Sequence, residues 1–94
     1  IMVEIIVVDD EPKQRSILNT ILTKEGYNVY EASNGKEALN IIKQRNPEIV
    51  LTDLKMPDMD GIQLLKGIKD LKITPEPMVL LMTAYGSIAS AVEA

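Results

Sequence analysis

The chain contains no cysteine and no histidine. The first absence removes disulfides, thiolate metal sites and a thiol nucleophile, and it suits a reducing compartment, so a cytoplasmic location is expected. The second removes serine–histidine–acid catalysis and the histidine-ligated zinc centres. No apolar run approaches the ~20 residues that a membrane span requires, and the start does not have the basic, apolar, small-residue order of a secretion signal. Basic residues number 10 against 14 acids, for a net charge of −4. Lys66, Lys69 and Lys72 are interleaved with other residues and form no basic stripe, so this segment is not expected to contact nucleic acid directly. Whatever chemistry the chain performs must use carboxylates, hydroxyls and lysines.

What is present is an ordinary globular composition, 46% hydrophobic and 26% charged over 94 residues, enough for one core. Val3 to Val8 is apolar and β-branched apart from Glu4, then stops at Asp9-Asp10-Glu11-Pro12, the pattern of a buried strand running into a helix start. Ile17, Leu18, Ile21 and Leu22 have the spacing that gathers apolar groups on one helix face, and Gly26 supplies a stop. The cycle then repeats. Asn28 to Ala32 reads as a shorter, more polar strand suited to a sheet edge. Asn34 and Glu37 form a capping pattern before a helix that ends at Asn46-Pro47. Ile49 to Leu54 is a third strand, Asp60 and Gln63 cap a third helix, Met78 to Met82 is a fourth strand, and Ser87 to Ala94 is expected to begin a fourth helix.

Strands alternating with helices in this way predict an α/β fold with a parallel sheet between helical layers. Met78 to Met82 is too apolar for an exposed edge, so a fifth strand and helix are expected to be missing. Residues 1–94 are therefore read as a single domain, incomplete at its C-terminus.

In open parallel sheets, ligands bind at the carboxyl ends of the strands. Asp9 and Asp10 follow the first strand, Asp53 ends the third and Thr83 closes the fourth. If strands one and three are neighbours, three carboxylates converge, and they repel one another unless a pKa rises or a cation binds. An all-oxygen donor set favours magnesium, manganese or calcium. Such a site suits phosphoryl transfer to a carboxylate, with the Thr83 hydroxyl donating a hydrogen bond and the small Ala84 and Gly86 leaving room. Taken singly each element has an ordinary reading. Asp10-Glu11 suits a helix cap, Asp58 and Asp60 suit turns around Pro57 and Gly61, and Thr83 suits a strand. The joint placement carries the signal.

Val7-Val8-Asp9-Asp10-Glu11-Pro12, Asn34-Gly35-Lys36-Glu37-Ala38-Leu39, Asp53-Leu54-Lys55-Met56-Pro57-Asp58-Met59-Asp60-Gly61 and Thr83-Ala84 together resemble the receiver domains of bacterial two-component response regulators. The resemblance implies a flavodoxin-like fold of strand order 2-1-3-4. It implies that Asp53 accepts a phosphoryl group from a sensor histidine kinase. Asp10, Asp53 and the Lys55 backbone carbonyl would ligate Mg2+ directly, with Asp9 acting through a metal-bound water. Thr83 would turn toward the phosphoryl group as the switch hydroxyl, and Lys55 would lie near the path of the hydrolytic water and tune the phosphoryl lifetime. Such a chain is a phosphoacceptor and not a turnover enzyme.

The tail from Thr83 to Ala94 is similar to receivers that precede an AAA+ ATPase and a DNA-binding domain, which makes transcription regulation the expected output. The family's lysine and aromatic switch residue would fall on the fifth strand, beyond Ala94. Phosphorylation of this chain is therefore expected to be poor, and another chain, as in a homodimer, is expected to cover the gap. Two other classes remain open. A degenerate receiver would serve as a dimerisation or interaction module without phosphorylation. A metal-dependent phosphatase would want an acid two positions after the nucleophile, where this chain has Lys55.

Overall fold

The structure is a computed structural model that describes residues 2–82 and the backbone of residues 88–90. Among these, three helices alternate with the first four strands: β1 (Glu4–Val8), α1 (Pro12–Lys24), β2 (Asn28–Ala32), α2 (Gly35–Arg45), β3 (Ile49–Asp53), α3 (Gly61–Leu71), β4 (Met78–Met82) and then β5 (Ile88–Ser90). The sheet order is β2-β1-β3-β4-β5, and the first four strands run parallel. The fold is therefore the flavodoxin-like α/β arrangement expected from the sequence, with the polar β2 at one edge.

The two sheet faces alternate along each strand, as the two-residue period requires. Ile6, Val8, Ala32, Val50, Val79 and Leu81 pack against Ala38 and Ile42 of α2 and Leu64, Leu65 and Ile68 of α3. Ile5, Val7 and Leu51 point the other way, toward Leu18 and Leu22 of α1. Each fully buried side chain of this size stabilises the fold by about 1.5–3 kcal/mol relative to exposure. The first face therefore carries most of the apolar stabilisation, because α1 has no fully buried residue.

Helix ends follow the local chemistry read from the sequence. Pro12 opens α1, Asn34 Oδ1 accepts the Glu37 N–H at 2.8 Å, and Asp60 and Gln63 form a reciprocal capping box. Asn46 takes the left-handed conformation that ends α2, and Gly26 (φ 93°) turns the chain out of α1.

Two expectations are corrected. Ile17 and Ile21, read with Leu18 and Leu22 as one core-facing stripe, are about half exposed, at 52% and 53%. Adjacent helical residues are 100° apart, and only the Leu18 and Leu22 side of that stripe meets Ile5, Val7 and Leu51 of the sheet. The fourth helix expected over Ser87–Ala94 is also not what Ile88–Ser90 form, since these residues pair antiparallel with β4 as Leu80↔Ser90, Leu81↔Ala89 and Met82↔Ile88. The free backbone groups of an apolar strand edge recruit a partner, and that demand outweighs the weak helical pattern.

Candidate functional site

β1 sends its helix, α1, to one face of the sheet, while neighbouring β3 sends α3 to the other. The loops leaving these two strands therefore diverge, and a crevice opens at their carboxyl ends. Asp9 and Asp10 enter it from β1, and Asp53 from β3. Ligand oxygens of the three carboxylates all lie within 4.8 Å of one another.

Asp9 is buried, with 3% of its surface exposed. Its N–H extends the β1–β2 ladder by donating to the Ala32 carbonyl at 3.1 Å, and its Oδ1 accepts the Glu11 N–H at 2.9 Å. Burial pushes the Asp9 carboxyl above its ordinary range, and the charges of Asp53 and Asp10 push the same way. The Glu11 N–H and the Arg15 guanidinium pull against them. Asp10 is exposed. It is not the helix cap, because the cap of α1 is Glu11, whose side chain accepts the Lys13 N–H at 3.3 Å. The ordinary reading of Asp10-Glu11 as a helix cap thus holds for Glu11 and not for Asp10.

Asp53 is half-buried at the end of β3. The Thr52 hydroxyl, fully buried, donates to the Asp53 carbonyl at 3.0 Å, and the next N–H, that of Leu54, donates to Met82 on β4 at 3.0 Å. Gly61 at the start of α3 lies directly beneath. A Cβ there would sit 2.9 Å from the Asp53 carbonyl oxygen and 2.9 Å from Leu81 Cδ2. The glycine lets α3 begin against the backbone of Asp53.

Lys55 presents its backbone N–H to Asp53 Oδ1 at 3.4 Å, a long contact, and its side chain is exposed. Among the described residues, no lysine or arginine side chain forms an ion pair with any of the three aspartates. Thr83, with Ala84 and Gly86, lies outside the described residues. The residues that motif reading missed are Arg15, which donates Nη1 to the Asp9 carbonyl at 2.8 Å, and its partner Glu31 at 3.1 Å. Their one sequence signal is weak: Arg15 lies four residues after the Glu11 cap, on the turn that faces back toward Asp9.

Three oxygen donors, no nitrogen or sulfur, mutual repulsion and a raised pKa on the most buried member suit a hard divalent cation. The same arrangement suits a carboxylate nucleophile at Asp53, the member that stands at a strand end closely backed by Gly61.

Comparison with known proteins agrees with the architecture. Residues 5–94 match the family model described as the response regulator receiver domain. The chain is 44% identical over 85 residues to sporulation initiation phosphotransferase F of Bacillus subtilis, covering 90% of this chain and 67% of that protein. It is 46% identical over 92 residues to the transcriptional regulatory protein ZraR of Escherichia coli O157:H7, covering 98% of this chain and only 20% of that protein. Among solved structures, a response regulator receiver domain protein from Clostridium thermocellum superposes with a TM-score of 0.80 at 34% identity, over 87% of this chain and 65% of that one. With its sheet order, its acidic crevice and a family match that leaves out only the first four residues, the chain belongs to the response regulator receiver domain family.

Proposed function

We propose that this chain receives a phosphoryl group on Asp53 from the phosphohistidine of a sensor kinase, in a Mg2+-dependent reaction, and passes the signal to an output domain. The observation that carries the reading is the convergence of Asp9, Asp10 and Asp53 within 4.8 Å. In the transfer, an Asp53 carboxylate oxygen forms a bond to phosphorus while the phosphorus–nitrogen bond of the donor breaks. The imidazole leaves with its electron pair and is protonated from solvent. Asp10 and Asp53, with the backbone carbonyl of Lys55, would hold the metal directly, and Asp9 would act through a bound water. A bound Mg2+ supplies charge neutralisation for the phosphoryl oxygens.

The chain's own residues do the rest. Gly61 and the Thr52 hydroxyl hold the Asp53 backbone, and the half-buried setting of its carboxylate limits water around the attacking oxygen. Thr83 would serve as the switch hydroxyl, and the exposed Lys55 side chain would stand beside the acylphosphate and tune its lifetime. The domain acts as a single-turnover acceptor, not as a turnover enzyme. Transcription regulation is the favoured output, in the cytoplasm, and the resemblance of the tail to receivers of AAA+ activators supports it. No helix among the described residues is long and apolar enough to cross a membrane.

The test is incubation with a small acyl phosphate in the presence of Mg2+ or of a chelator. Mg2+-dependent modification is expected, at less than one phosphoryl group per chain. Steady release of phosphate from phosphate esters would instead indicate a phosphatase, and no modification under any metal condition would indicate a degenerate interaction module.

A further inference from the structure

Arg15 sits one turn into α1, and because side chains of a helix lean toward its N-terminus, the guanidinium runs back over the first turn. There it meets two acceptors. Nη1 donates to the Asp9 carbonyl at 2.8 Å, and Nε donates to Glu31 Oε1 at 3.1 Å. Glu31 stands on β2 in register with Val7, and its second oxygen accepts from Asn19 Nδ2 at 2.6 Å. Arg15 and Asn19, four residues apart on the same side of α1, thus grip one carboxylate on the edge strand.

The consequence falls on the peptide that joins Asp9 to Asp10. The Asp9 N–H is held by Ala32 of β2 at 3.1 Å, and the Asp9 carbonyl is held by Arg15. Apolar packing supplies only part of this restraint, because Leu18 and Leu22 of α1 are half-buried and α1 buries no residue fully. The arginine is itself well covered, with 18% of its side chain exposed, and its planar fork serves two acceptors at a fixed angle, as a lysine could not.

We infer that Arg15 is a positioning residue for the acidic site, anchored by Glu31, and that it fixes the Asp9–Asp10 peptide so that both carboxylates face Asp53. The inference rests on the proposed Mg2+ site. Two effects of removing Arg15 have opposite signs. Loss of a positive charge near a cation site tightens cation binding, whereas loss of ligand orientation weakens it. Residues that orient metal ligands typically account for 10–100-fold in affinity, so the positioning effect should prevail.

The experiment is direct calorimetric titration of the whole chain with Mg2+, without any phosphoryl donor, alongside melting curves. It compares the wild type with Arg15→Met, Arg15→Lys, Glu31→Gln and the double variant Arg15→Met/Glu31→Gln. Arg15→Met is expected to bind about tenfold more weakly, and Arg15→Lys, which keeps the charge but not the fork, more weakly than the wild type. The double variant should bind no worse than Arg15→Met, because the two residues act as one unit. Should Arg15→Met fail to fold, Arg15→Lys and Glu31→Gln carry the comparison at melting temperatures near that of the wild type. Unchanged or tighter binding in a folded Arg15 variant overturns the inference alone. Absence of Mg2+ binding by the wild type overturns it together with the proposed site.

Discussion

Acidic side chains gather at both ends of the sheet, and the two gatherings are treated differently. At the amino ends, Glu48 Oε2 accepts the Glu4 backbone N–H at 3.1 Å, while Glu4 Oε2 accepts from Asn28 Nδ2 and from the Tyr30 hydroxyl, each at 3.2 Å. At the carboxyl ends, Asp9, Asp10 and Asp53 face one another with two backbone N–H groups among them from the described residues, those of Glu11 and Lys55. The first set is supplied with donors and serves the fold. The second has few of them among the described residues, and that suits a cation and an incoming phosphoryl group. What distinguishes the two ends is the donors that the described residues supply, since acids alone occur at both.

Substitutions at the two ends should separate stability from metal response. The largest effect is expected at the carboxyl end from Gly61→Ala, whose new methyl group meets the Asp53 carbonyl and Leu81. It should lower stability by about 1–3 kcal/mol, measured by urea unfolding, and weaken Mg2+ binding because Asp53 must shift. At the amino end, Tyr30→Phe removes one donor to Glu4 and should cost about 0.5–1.5 kcal/mol while leaving Mg2+ titration unchanged. A changed metal response in Tyr30→Phe would erase the distinction between the ends.

A subtler effect is expected of Asp9→Asn. The folded-state pKa of Asp9 is raised, chiefly by burial and then by Asp53 and Asp10, so the folded state prefers the protonated acid. Its contribution to stability is full below the unfolded value of about 3.9 and is lost as pH rises through the higher folded value. Without metal, Asp9→Asn should therefore unfold at a higher urea concentration than the wild type at pH 7, and the advantage should fade toward pH 3. Added Mg2+ should favour the wild type more than the variant. The smallest effect is expected of Glu48→Gln, an exposed residue whose amide oxygen can still accept the Glu4 N–H. Its change in stability should stay within about 0.5 kcal/mol.

Much of this was legible in the sequence wherever one local rule dominated. The apolar β1, β3 and β4 could belong only to a buried sheet, and Asn34, Asp60 and Asn46 mark helix ends through their own side-chain or backbone chemistry. The aspartate positions followed from strand ends once the parallel order was assumed. Two matters depended on partners distant in sequence. The 100° between Ile17 and Leu18 is plain, but which of them meets the sheet depends on how α1 lies across β1. Ile88–Ser90 form a strand because β4 offers an edge, a condition absent from their own pattern. The Arg15–Glu31 contact was likewise hidden, since it joins residues 16 apart on different elements.

The central claim is that Asp53, alone among the clustered acids, takes the phosphoryl group. It is tested most directly by intact-mass measurement of the wild type and Asp53→Asn after exposure to a small acyl phosphate with Mg2+. The account predicts a species heavier by one phosphoryl group, labile to base, in a fraction of the wild type and none on Asp53→Asn. Equal modification of Asp53→Asn would contradict it.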